Sequence, residues 1–178
     1  MSAGNHRRAT ADVVGAIVAI VAGLVVVDKP EEKVFERVEL FDSENLVEAF
    51  RYLLVTEQRV AVVVPLDEEF ESVINGLKLV MKRRLPVAVL VSDRVLGDRK
   101  AAIWGNDDTP GAMGLAEKVL PAVTGLLLPN PMGVVAEPRR VSILSIQEKE
   151  LPMRVTVAVE FECRGGWMEA ELAKGQVL

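Results

Sequence analysis

Residues Arg140 to Cys163 read RVSILSIQEKELPMRVTVAVEFEC, and their pattern decides the fold class. Arg139 to Ile146 is rich in β-branched residues and predicts a strand. Gln147 to Pro152 is charged and ends on proline, so it predicts a turn. From Met153 to Cys163 the chain alternates strictly. Met153, Val155, Val157, Val159, Phe161 and Cys163 fall on one side, and Arg154, Thr156, Ala158, Glu160 and Glu162 on the other. This period of two predicts a half-exposed strand, paired antiparallel with the preceding one as a hairpin. Gly165-Gly166 is expected to break it and to leave residues 166–178 as a mobile tail.

Upstream, strands and helices alternate irregularly. Val34 to Phe41 predicts a strand. Asp42-Ser43 then caps a helix whose apolar stripe is Leu46, Val47, Ala49, Phe50, Leu53 and Leu54. Arg59 to Val64 is apolar on both faces, as an inner strand is, and Pro65 stops it. Residues 67–84 fit either a helix or a loop followed by a strand from Leu77 to Arg84, and the second is adopted. Val87 to Val91, begun by Pro86, is a clearer strand, and Lys100 to Trp104 is read as a further short one. Thr109 or Asp108 should cap a helix with Pro110 in its first position and Met113, Leu115, Ala116, Val119 and Leu120 as its apolar face. Pro121 should end or kink that helix, and Gly125 closes the region. The predicted class is α+β: a mixed, mainly antiparallel sheet with two or three helices packed on it.

The chain is expected to form one domain, residues 1–178, with an apolar helix and strand at 10–28 and the α+β core at 33–165. Its 178 residues are half hydrophobic but only 4% aromatic, so the core must be built from Val, Leu, Ile and Ala. A globule of this length buries roughly 70% of the surface its unfolded chain would expose, enough for a core without disulfides or metals. The run Val13 to Val27 is apolar throughout, but its 15 residues fall short of the ~20 that span a bilayer, and no signal-cleavage pattern follows it. It is read as a helix capped by Thr10 or Asp12 and ended by a left-handed Gly23, with a strand beginning at Leu24. Being apolar all round, the helix should be buried on most sides or covered by a neighbouring subunit.

Chemistry needs positioned acids, bases, nucleophiles or metals. The single histidine, His6, sits in a polar N-terminal segment, and the single cysteine, Cys163, continues an apolar strand face as an inert buried thiol. Neither a nucleophilic triad nor a zinc site can be assembled from that supply. No catalytic, cofactor-binding or metal-binding residue is therefore assigned, and no cofactor is expected. The carboxylates Asp67-Glu68-Glu69 and Glu71 are read as a solvated loop, and Lys82-Arg83-Arg84 as a solvated element end. A calcium loop counted from Asn106 would place Pro110 where an oxygen ligand is needed. The net charge of -5 speaks against sequence-specific nucleic-acid binding. Trp104 and Trp167 suit a protein interface as well as a core. A different class of reading is a small-ligand-binding protein or enzyme with its site near Asp98, Arg99, Asp107 and Asp108, and a third is a membrane-anchored protein held by residues 13–27.

Four stretches in this order resemble a known family. FERVELFDSENLVEAFRYLL (35–54) is a strand followed by an amphipathic helix, and RVAVVVP (59–65) is a buried strand. WGNDDTPGAMGLAEKVLPAVTG (104–125) is a polar turn and helix, and the hairpin at 140–163 closes the set. Together they resemble minor tail proteins of tailed bacteriophages, in particular the tail terminator family of Mu-like phages. The resemblance implies a non-enzymatic ring, typically a hexamer, that terminates the tail tube and offers a head-joining surface. It implies other copies of the chain, tail tube protein and head-joining protein as partners, and a place in the virion tail after assembly in the bacterial cytoplasm. It transfers no individual functional residue.

Overall fold

The computed structural model describes residues 4–41, 59–75, 78–95, 98–107, 109–125, 127–128, 134–147 and 153–171. The elements are α1 (Gly4–Ala22), β1 (Val25–Val26), β2 (Lys29–Lys33), β3 (Arg37–Leu40), β4 (Arg59–Pro65), β5 (Glu69–Asn75), β6 (Lys78–Val95), α2 (Arg99–Trp104), α3 (Gly111–Val123), β7 (Leu127–Leu128), β8 (Val134–Gln147) and β9 (Met153–Glu171). β1 and β2 form a small hairpin. The other seven strands make one sheet in the order β3-β4-β6-β9-β8-β7, with β5 also on β6. Only β3 and β4 run parallel; the other pairs in this sheet are antiparallel. The fold is α+β with a mixed, mainly antiparallel sheet. The amphipathic helix predicted from Asp42 to Leu54 lies outside the described residues.

The sheet is apolar on both faces. On one face, Ala61 and Val63 of β4, Leu85 to Val91 in alternate positions of β6, and Val155 to Cys163 in alternate positions of β9 pack against α1, α2 and α3. This is the helix face. On the far face Val60, Val62, Val64, Ala88, Leu90 and Ala158 form a second buried cluster with Phe41 and Leu66 against it. The hairpin β8–β9 is as predicted, but β9 is not half-exposed. It is an inner strand between β6 and β8, and Arg154, Thr156 and Ala158 are buried with the rest.

Several expectations need correction. Leu77–Arg84 and Val87–Val91 are not separate strands, because β6 runs unbroken through Pro86. The Pro86 carbonyl accepts from Leu66 N at 2.9 Å, so its nitrogen points to the same side. Within a strand a residue's N–H and C=O face one edge, and here that edge is the gap between β4 and β5, where no ladder bond is lost. β9 likewise does not stop at Gly165-Gly166. It continues to Glu171, and a bulge leaves Trp167 as the extra residue between Gly166 and Met168. Lys100–Trp104 is helix, not strand, because the Asp98 carboxylate caps it through Lys100 N at 2.8 Å. Helix α3 begins at Gly111, one residue later than expected, with Pro110 as its N-cap. It continues two residues past Pro121, so the proline lies in its last turn.

Helix α1 starts at Gly4, well before the predicted caps. Gly23, which follows it, is not left-handed; among the described residues the positive-φ glycines are Gly105, Gly111 and Gly125. The helix is buried on one face only. Val13, Val14, Ile17 and Val21 lie in the core, while Ala11, Asp12, Gly15 and Ala19 face outward. Its apolar composition hides an amphipathic helix whose outer residues are mostly small, so it lies on the helix layer's surface, not deep in the core. The charged segment 28–32 belongs largely to β2. Arg59 of β4 donates to Glu32 there at 3.0 Å; this bond, more than Lys29, holds the Glu32 carboxyl below its usual range.

Candidate functional site

The residues singled out for a ligand site do not converge. Asp98 caps the start of α2 and Arg99 is that helix's exposed first residue. Asp107 follows the other end of the helix, ~9 Å away by the rise of six helical residues. Asp108 lies outside the described residues. Asn106 closes its own turn, with its Oδ1 accepting from Thr109 N at 3.0 Å and its N–H donating to Thr109 O at 2.8 Å. The calcium-loop spacing also fails, since Gly111 to Glu117 is helix. His6 falls within α1. Among the described residues no helix is long and apolar enough to cross a membrane.

Charged and polar residues that sequence reading placed in solvent are used inside the fold. Arg83 is 4% exposed and pairs with Glu68, while its guanidinium also donates to the Thr10 hydroxyl of α1. Thr10 in turn donates to Glu68 at 3.3 Å. This triad fastens α1 to the turn between β4 and β5; Arg83 and Glu68 turn inward into one joint, while Asp67, Glu69, Glu71 and Arg84 stay exposed as expected. Beneath it, Cys163 is buried, as expected. Burial pushes its thiol up to about 11; the Arg83 guanidinium pulls it down by less, and Glu162 adds a little. At pH 8 a thiol with that pKa is about one part in a thousand thiolate. Native protein is expected to resist a thiol reagent at that pH and to react stoichiometrically once unfolded. Because folding raises the pKa, the unfolded chain loses this proton first, so the thiol's contribution to stability is full below pH 9 and drains away as the pH climbs to about 11.

At the opposite end of β6, the Thr109 hydroxyl donates to the buried Asp93 carboxylate at 2.6 Å, and Arg94 N donates to its other oxygen at 2.9 Å. On the far face Ser92 accepts from Arg154 at 3.3 Å and donates to Val155 O at 3.2 Å. Burial first, and Arg94 second, push the Arg154 guanidinium below its usual range; Asp93 and Glu36 oppose them. The Thr109–Asp93 bond ties the start of α3 to the sheet. Thr109→Val keeps the shape and strips the donor from a buried carboxylate oxygen, which costs about 1–3 kcal/mol. Chemical denaturation should show that loss as a lower midpoint at unchanged slope.

The surface that stands out is the outer edge of β8. β7 covers only Val134 and Val135, so from Glu137 to Gln147 no described strand pairs with that edge. Three aliphatic side chains lie along it in the open: Val141 at 39%, Ile143 at 44% and Leu144 at 46% exposure. Val141 and Ile143 stand opposite Val159 and Val157, so they belong to the helix face beyond its helices. Arg140 stands opposite Glu160 on the far face. The strand is held firmly. Glu137 sits directly opposite Glu162, a repulsive pair on its own. Arg139 reaches Glu162 at 2.9 Å and Glu137 at 3.6 Å, and Arg164 reaches Glu137 at 3.5 Å and also pairs with Glu162. Each exposed ion pair is worth little alone; two of the four, Arg139–Glu162 and Arg164–Glu137, cross between the strands and offset the Glu137–Glu162 repulsion.

No protein-family model and no curated protein matches the chain. Among solved structures, one match is a chain described as "Virion of native gene transfer agent (GTA) particle". It is 14% identical, with a TM-score of 0.35, covering 60% of this chain and 69% of that one. A likeness this slight carries no argument about fold or role.

Proposed function

We propose that this chain is a non-enzymatic structural protein of a phage or prophage tail, which closes with copies of itself into a ring that terminates the tail tube and offers a head-joining surface. The observation that carries this reading is the open edge of β8. An exposed strand edge with aliphatic side chains is a template for pairing with another chain, and soluble monomers usually cover or charge such an edge. Here it is presented on a long strand paired with β9 from Val134 to Gln147. The order of elements along the sequence, from the strand at Val34–Phe41 to the closing hairpin, supports the tail-terminator role. So does the net charge of -5, since DNA must pass a tail channel without being held there. Ring closure requires a heterologous contact, with two different patches on each subunit. Negative-stain microscopy of the purified protein tests the proposal: closed rings of one symmetry are expected, and a field of isolated small particles would refute it.

A further inference from the structure

Granting the ring proposed above, we infer that its subunits join by strand addition, the β5 edge of one copy pairing antiparallel with the β8 edge of the next. Like β8, β5 has a free side: it pairs only with β6 among the described strands. Its exposed residues complement those of β8 face by face. Phe70 stands opposite Arg83, whose partner is Thr10 of α1, so Phe70 is on the helix face; it is 47% exposed. Glu69 and Glu71 alternate with it on the far face. The β8 edge carries aliphatic Val141 and Ile143 on the helix face and basic Arg140 on the far face. Continuing the sheet from one copy to the next keeps each face on its own side. Phe70 then meets Val141, and Glu71 meets Arg140 with Arg139 beside it.

The offset between the two edges agrees with closure. Glu71 is level with Lys82 and hence with Gly166 of β9, whereas Arg140 is level with Glu160 of β9. Six residues along a strand are ~20 Å. From β5 through β6 and β9 to β8, and on to the next copy's β5, are four strand spacings, ~19 Å. Joining the edges at that stagger tilts the strands by ~45° to the ring axis, the upper end of the ~35–45° at which sheets close. An aligned join would need no tilt, and an untilted sheet does not close.

The test is a charge exchange read by sedimentation velocity. One variant carries Glu69→Lys and Glu71→Lys; the other carries Arg140→Glu and Val141→Glu. Each alone should need at least tenfold more protein to assemble than wild type does. Mixed one to one, they should regain the wild-type assembly, because every β5–β8 contact in an alternating ring is again of opposite charge. Circular dichroism confirms that each is folded. If either fails to fold, Phe70→Cys and Val141→Cys variants are mixed and oxidised instead, with a covalent dimer expected; no dimer would overturn the inference. Wild-type rings with variants that assemble normally, or a mixture that does not recover, overturn the β5–β8 contact and leave the ring standing. Wild type that remains a monomer removes the ring and this contact together.

Discussion

Gly111→Ala should cost on the order of 3–5 kcal/mol, among the largest losses available to a one-methyl change. Gly111 opens α3 with φ at +64°, a conformation that costs an ordinary residue ~1–2 kcal/mol by itself. The added Cβ would also lie 2.3 Å from Gly105 N and 2.7 Å from Ala101 O. Both are backbone atoms, one inside α2 and one just beyond its end, so the overlap is relieved only by pushing the two helices apart. Ala101, Ala102, Ala112 and Leu115 are buried around this junction, and the shift would open them. Gly15→Ala is the control. A Cβ there meets nothing within 4 Å, and alanine in a helix interior should gain about 0.5–1 kcal/mol. Thermal melts of the pair should move in opposite directions.

Phe161→Ala should cost about 3–5 kcal/mol. Phe161 is 1% exposed and, with Phe35, one of the two largest fully buried side chains among the described residues, in a core made mostly of valine, leucine, isoleucine and alanine. It sits opposite Val87 on β6 and Pro138 on β8, so its ring spans the middle of the sheet. Neighbours with short β-branched side chains cannot reach across the vacated space, so little of the cavity collapses. At ~2–4 °C per kcal/mol for a chain of this size, the melting temperature should fall by roughly 10 °C.

How far the sequence discloses this molecule depends on whether the deciding contact is local. The β8–β9 hairpin is legible because Met153–Cys163 keeps a strict period of two beside a charged turn. β4 is legible because Val60–Val64 is apolar in every position, and the apolar face of α3 because its residues recur at helical spacing. α2 had its signal too: Asp98 is an N-cap two residues before the N–H it accepts, overlooked beside the apolar run it introduces. Other features have no local sign. Arg83 reads as solvated because it stands among charges, and its partners Glu68 and Thr10 are far off in sequence. Pro86 reads as the start of a strand, since nothing nearby shows that its missing N–H falls in a gap between two neighbours. Gly23 reads as a left-handed stop, yet the chain turns there with an ordinary φ.

The candidate site follows the same rule. The run Val141 to Leu144 behind Arg139-Arg140 was visible as a strand of mixed character. That its outer edge lies open depends on β7 being only two residues long and on β9 taking the inner side, which the order of strands decides. The carboxylates at Asp98 and Asp107 looked like a cluster because they are near in sequence, and α2 separates them.

The mass of the wild-type protein in solution, measured by light scattering over a wide concentration range, bears most directly on a chain that acts by joining copies of itself. The account predicts a single assembly at a whole-number multiple of 19.4 kDa, giving way to smaller species only on dilution. A mass of 19.4 kDa at every concentration would contradict it.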